Sequence, residues 1–501
     1  MNRKNMKRIL WFCGLGVLLL AVGARAQTSP NAGGELEKIL ASRPILEVSL
    51  TRDEAVEIAL RESPVVRGAS AEVEMAEARL DQARAERKPM IGLYGFLSDG
   101  TIPNNIVAPQ TVRPPVVRRL AGGGYADLKV TAMFPLYTGN RLQSLTRRAA
   151  ALRGASLAEA QAQNQEVALL TRLAYNEALA RRALVDVWQG RLQEDEEQLR
   201  IDRARAEEGK IPPFYVLRDE AAVAETQQEI TNAARDVELS LTQLKTVMGV
   251  HPLSQIALAQ TLDEQSSAEF LTQLAPEKSS APKTDAVPAT APLPPSTAMF
   301  EVPDYLPSLL RLAEQKRPEL QASLQRVRAA DAGTAAERSA FSPQVNLFAT
   351  GDLSNERVMG GGNATGVTYG VVAALPIFDG GLRRAQVREA EAASRGQQQE
   401  RERVALQIGQ EVTNGLLNLR AAGQNLQTSQ RVLEAAREDY RVARIRYEAG
   451  KSIPVEVLDA LAARTRAESN VVQAKFQFAA ARDQLLRAVG VLPASAQAAS
   501  D

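Results

Sequence analysis

Glu456 and Asp459 are the first residues to invite a chemical reading, because a three-residue step puts both carboxylates on one face of a helix. Such a pair either attracts cations or forms part of a solvated acidic face. No nucleophile, base and orienting residue form a recognisable triad around it, so the sequence assigns no enzyme activity. Gly450-Lys451-Ser452 mimics the end of a phosphate loop, but Ile445 stands where the earlier glycine is required and the segment follows a helix rather than a strand. The single histidine, His251, has no Cys or second His to make a metal site and reads as a polar cap. Asn363-Ala364-Thr365 fits a glycosylation pattern that a Gly-rich loop produces by chance. No cofactor and no metal are expected.

The chain around these residues starts with a basic segment, an apolar run from Ile9 to Val22 and Ala24-Arg25-Ala26, the order of a secretory signal cut after Ala26. An apolar run of about 14 residues is too short to span a bilayer as a helix, and no later run is longer. Cys13, the only cysteine, would leave with the signal. So would five basic residues, which lowers Lys plus Arg from 60 to 55 against 59 acids and gives a mature charge of −4. That balance does not point to nucleic acid. Aromatics at 4 % and abundant alanine argue for extended helices packed through small side chains rather than large globular cores.

A repeat organises the chain. Gly209-Lys210 with Pro213, Val216 and Leu217 matches Gly450-Lys451 with Pro454, Val457 and Leu458 at an offset of 241, as do Pro135-Leu136-Tyr137 with Pro376-Ile377-Phe378, and Gly249-Val250 with Gly490-Val491. Pro64 and Pro89 match Pro318 and Pro343 at 254 instead, which confines the 13-residue difference to the stretch between Pro89 and Pro135. Proline is absent from Leu136 to Ile211 and from Ile377 to Ile453, both rich in Ala, Leu, Gln, Glu and Arg. Each stretch is expected to hold one helix, about 141–208 and 382–449, roughly 100 Å long at 1.5 Å per residue.

Leu142, Leu145, Ala149 and Leu152, then Leu173, Ala180, Leu184 and Val187, step by three and four residues as a coiled-coil-like seam does. Shorter helices are expected from about Thr51 to Arg87 and Pro307 to Ser339, and after each Gly-Lys turn. Alternation in Leu128 to Phe134, with Tyr369, Val371, Ala373 and Leu375 at the repeat offset, predicts strands with one oily and one wetter face. The hairpin regions 90–137 and 341–378 contain 86 residues and 9 of the 20 mature aromatics, an enrichment that suits the interfacial girdles of a membrane barrel. Loops are expected at Asp99-Gly100-Thr101 onward and at Gly360-Gly361-Gly362-Asn363. The resulting division is a signal at 1–26, an extension at 27–47, a first repeat at 48–264, a Pro/Ala/Ser-rich linker at 265–303, a second repeat at 304–492 and a tail at 493–501.

Four strands cannot close a barrel, and an open sheet edge is not tolerated in hydrocarbon. The expected fold is therefore mainly α with a membrane β-barrel shared between copies of the chain, continuing as a hollow helical tube. A periplasmic structural coiled coil is the competing reading. The helix seam suits it equally; the aromatic alternating strands do not.

Leu50-Thr51-Arg52-Asp53-Glu54-Ala55 with Ala59-Leu60 and Ser63-Pro64, the duplicated Pro-Leu-Tyr and Pro-Ile-Phe strand ends, and Gly450 with Val457-Leu458-Asp459-Ala460 resemble the TolC-type outer-membrane efflux proteins, over about Val48 to Leu492. The resemblance implies a homotrimer with a 12-stranded barrel in outer-membrane lipid above a periplasmic helical tunnel. It also implies a periplasmic adaptor protein and a proton- or ATP-driven inner-membrane pump as partners. Passive export through an outer-membrane duct of a tripartite efflux or type I secretion system would follow. By the same resemblance Gly209, Lys210, Gly450 and Lys451 are adaptor-docking tips, and Glu456 and Asp459 line the periplasmic aperture. Tyr215 and Arg218 take the matching places in the first copy, so an acidic ring would come from one repeat only. Arg218 or Tyr447 would tie the closed tip, with Tyr215 beside them. The family carries a basic residue two positions after the second tip glycine, where this chain has Ser452.

Overall fold

The structure, a computed structural model, describes residues 35–98, 125–260, 305–358 and 362–492. The signal, the inter-repeat linker, the C-terminal tail and most of the hairpin loops lie outside the described residues. In chain order the elements are α1 Glu35–Ala41, β1 Glu47–Leu50, α2 Arg52–Glu62, α3 Pro64–Ala85, β2 Met90–Ser98, β3 Tyr125–Tyr137, α4 Arg141–Glu207, α5 Phe214–Met248 and β4 Gln255–Leu258. They continue with α6 Leu306–Lys316, α7 Pro318–Arg338, β5 Gln344–Val358, β6 Gly362–Ala374, α8 Leu382–Glu448 and α9 Pro454–Val489.

Helices α4 and α8 each run for 67 residues without a break, offset by 241 at both ends. Each starts from a left-handed residue, Asn140 at φ 68° or Gly381 at φ 94°. Asp379 adds a side-chain cap to α8, accepting from the Gly381 N–H at 3.0 Å, the Arg383 N–H at 3.1 Å and Arg383 Nε at 2.5 Å. The shorter helices differ from expectation. Both break in two, at Ser63/Pro64 and at Arg317/Pro318, where the residue before proline is extended and proline starts the next helix at a position that lacks an intrahelical donor anyway.

The largest apolar cluster of each repeat lies between its long helix and the shorter helices packed on it. Tyr175, Ala178, Leu244 and Met248 close the first, where the Tyr175 hydroxyl donates to the Leu50 carbonyl at 2.7 Å. Val412, Leu416, Leu419, Phe478 and Leu485 close the second. Small residues carry more of the α4 interface than the sequence suggested: Ser144, Ala155 and Ala158 are buried, whereas Leu142 and Leu145 are half-buried and Leu152 is 41 % exposed. Alanine permits close helix approach, and bulky neighbours are left at the margins. The repeats are joined by buried charge. Asp483 of α9 accepts from Asn176 at 3.1 Å beside Arg172, which donates to Asp53 at 2.9 Å.

The hairpins join into one antiparallel sheet ordered β2-β3-β5-β6. Its register aligns Leu93, Val130, Gly351 and Val367 in one row and Ile91, Ala132, Ala349 and Tyr369 in the next. The opposite face carries Thr131, Thr350 and Thr368 in one row, with Lys129 paired to Asp352 at 3.1 Å beside it. Tyr369 and Val367 on the oily face are 80 % and 75 % exposed in the single chain. A second sheet was not foreseen: β1 and β4 pair in parallel, Glu47 opposite Gln255 to Leu50 opposite Leu258. Four-residue strands carry too little alternation to stand out. No described helix is long and apolar enough to cross a membrane.

Candidate functional site at the helical tips

Each long helix ends in the same turn. The N–H of Lys210 donates to the Arg205 carbonyl and that of Gly209 to the Ala206 carbonyl; Lys451 and Gly450 repeat the pattern on Arg446 and Tyr447. This double closure needs a left-handed residue, supplied by Gly209 at φ 70° and Gly450 at φ 72°. A Cβ at either glycine would meet nothing within 4 Å, so conformation alone selects glycine there. The two turns lie together, because Arg205 donates to the Tyr447 carbonyl at 3.1 Å and its guanidinium sits 4.3 Å from the Tyr447 ring centroid.

Glu456 and Asp459 are both exposed on α9, while Val457, Ala460 and Leu461 between and beyond them are buried against Tyr440 and Tyr447. The acids therefore point away from the chain's own core. Ser452 Oγ donates to the Glu456 carboxylate. Lys210 pairs with Glu208 at 2.5 Å and holds that carboxyl below its ordinary range.

The three residues expected as ties sit differently within the chain. Tyr447 is buried, and its hydroxyl donates to Asp202 of α4. Burial first, then the Asp202 carboxylate, raises the Tyr447 pKa, so the phenol stays a donor. Tyr215 instead packs its ring on Phe214 at 4.1 Å, and Arg218 is exposed on α5.

Sequence reasoning missed the polar interior behind these turns. Asp195, Asp202 and Asp219 are each at most 1 % exposed. Asp195 accepts from Thr226 Oγ1 at 2.6 Å and Arg191 Nε at 3.2 Å, and Asp202 accepts from Gln198 at 3.0 Å. Nearby, Glu194 gathers the Tyr440 hydroxyl at 2.8 Å and Arg464 at 3.2 Å, which links α4 to α8 and α9. The repeat held a signal for the three aspartates: at the offset of 241 their partners are Ala436, Ala443 and Ala460. His251 serves a turn, its Nδ1 accepting from the Leu253 N–H at 3.1 Å.

A duplicated hairpin-and-helix chain with one oily sheet face and paired helical tips has the architecture of the outer-membrane efflux proteins. The chain matches the family model "Outer membrane efflux protein" over residues 55–250 and 309–491, and it belongs to that family. Its fold is similar to that of the outer-membrane channel OprN, with a TM-score of 0.67 and 20 % identity over 90 % of this chain and 95 % of that one. It is likewise similar to VceC of Vibrio cholerae, with a TM-score of 0.68 and 18 % identity over 88 % and 96 %. Among relatives by sequence, the toluene efflux pump outer membrane protein TtgC of Pseudomonas putida is 30 % identical over 165 residues, 32 % of this chain. That match spans 33 % of the relative, about a third of its length. Membership places the chain in the outer membrane, extending into the periplasm, within a family of non-catalytic proteins.

Proposed function

We propose that the chain is the passive outer-membrane exit duct of a tripartite export system, working as a homotrimer whose three four-stranded sheets close one 12-stranded barrel. The observation that carries this reading is the four-stranded sheet itself. Its strands β2 and β6 each have one partner, so among the described residues both edges are open, and one face is apolar. Hydrocarbon tolerates such edges only when a neighbouring copy pairs with them. The helices below the sheet then enclose a periplasmic tunnel, and energy comes from a proton- or ATP-driven inner-membrane pump through an adaptor protein.

At the tunnel's far end Gly209, Lys210, Gly450 and Lys451 form the adaptor-docking turns. Glu456 and Asp459, facing away from the chain's own core, converge from three chains on the aperture, where six acids favour cations. Tyr447 ties the second-repeat tip to the first through Asp202, and Tyr215 and Arg218 are the first-repeat candidates for a further tie of the closed tip. Protein purified in detergent and reconstituted in planar lipid bilayers tests the reading: trimeric mass with salt conductance is expected, and monomers without conductance would overturn it.

A further inference from the structure

Asp219 is 1 % exposed, and neither of its oxygens meets a hydrogen-bond donor from another side chain or the backbone. Asp202, fully buried, lies within hydrogen-bonding reach of it and already accepts from Tyr447 and Gln198. An ionised carboxylate without donors is costly in such a place, and two in contact do not both ionise. One proton shared between the two carboxyls relieves that repulsion without a further partner.

We propose that Asp219 and Asp202 hold one proton between them, and that this proton is a catch that keeps the helical hairpin of α4 and α5 closed onto Tyr447 of α8. Neutral Asp219 donates its O–H to ionised Asp202, which also accepts from Tyr447 and Gln198. When the proton leaves to water, a second negative charge remains on the pair, and the hairpin relieves it by letting water reach Asp219.

The surroundings favour retention of the proton. From α4, Asp195 adds negative charge, while Arg191 is engaged with Asp195 and Arg203 with Glu220 of α5 at 2.7 Å. Arg205 of α4 is held on the Tyr447 carbonyl. From α8, Tyr447 is a neutral donor, while Tyr440 and Arg444 face Glu194, as does Arg464 of α9. Arg218 of α5 bears on Asp219 and favours ionisation. The balance, with burial foremost, raises the Asp219 pKa from 3.8 to about 8. The second repeat has no equivalent, since Ala443 and Ala460 occupy the matching positions.

Opening returns Asp219 to water and an ordinary pKa. The open-to-closed ratio should therefore rise about tenfold per pH unit between roughly pH 5 and 7.5 and level off above about pH 8. That this movement widens the periplasmic aperture rests on the channel reading above; the proton site does not. The test uses full-length Cys13→Ser protein with spin labels at Lys210→Cys and Lys451→Cys, and pulsed dipolar spectroscopy from pH 5 to 9. Wild-type Asp219 should give a separated population that grows with pH, and Asp219→Asn should hold one spacing throughout. Asp219→Ala, which installs the second repeat's residue, should be equally insensitive and decides the matter if the Asn variant does not assemble. A pH-independent spacing in the parent, or an undiminished pH response in both variants, overturns the proposal. Conductance that stays flat while the spacing moves refutes the aperture reading and leaves the proton site standing.

Discussion

Tyr447 donates one of the hydrogen bonds that satisfy the buried Asp202 carboxylate, so its hydroxyl contributes beyond the ring's packing. Tyr447→Phe should cost about 1–3 kcal/mol, the penalty of leaving a buried polar group short of a partner. Urea unfolding of the detergent-solubilised protein would measure it. Asp219 adds a pH dependence whose sign follows from its raised pKa. The folded protein holds this proton where the unfolded chain has released it, so stability falls as pH rises from about 4 and the loss is complete above about 8. In Asp219→Asn that slope should vanish, which thermal melts from pH 5 to 9 would record. Neither aspartate was legible by residue type, because Asp in a helical sequence reads as a solvated face. Only the alanines at the matching repeat positions marked them, and burial decided what the mark meant.

At the scale of elements, the tip glycines and the α8 cap carry distinct loads. Gly209→Ala or Gly450→Ala forces an L-residue into the left-handed region, at about 1–2 kcal/mol each. Faster amide exchange should be confined to the last turns of α4 or α8. Asp379, held down to about pKa 2 chiefly by its bond from Arg383, stabilises the start of α8 above the ordinary carboxylate range. That contribution is lost as pH falls through about 2, so Asp379→Ala should weaken the junction at neutral pH and flatten its acid response; exchange at Leu382 to Ala385 reads both. The first repeat has Thr138 at this place, whose Oγ1 accepts from the Leu142 N–H at 3.5 Å, a longer and uncharged bond. Long helices were legible because proline is absent from both stretches and helix formers fill them. The breaks at Pro64 and Pro318 are equally visible in the sequence, because proline restricts Ser63 and Arg317 to extended backbone, although each stretch alone reads as one helix. β1 and β4 hide because their partner strands lie far apart in sequence.

For the whole molecule, Glu456→Gln with Asp459→Asn should leave the proposed trimer intact while lowering cation preference and block by multivalent cations. Reversal potentials in asymmetric salt would measure this, and unchanged selectivity would remove those acids from the aperture. The long β2–β3 connection, residues 99–124 against 359–361 in the second hairpin, falls in the stretch between Pro89 and Pro135 to which the unequal repeat offsets confine the 13 extra residues, and the longer β5 and earlier end of β6 account for the rest of the difference. The parallel pairing of β1 with β4 has a consequence for how the chain is made. It joins residues 208 positions apart, and both strands lie in the leading half of the chain, ahead of the second repeat. Closing a longer loop costs only logarithmically more entropy, and the core around Tyr175 rewards the closure at once. The leading half can therefore bring its two ends together before the second repeat folds onto it.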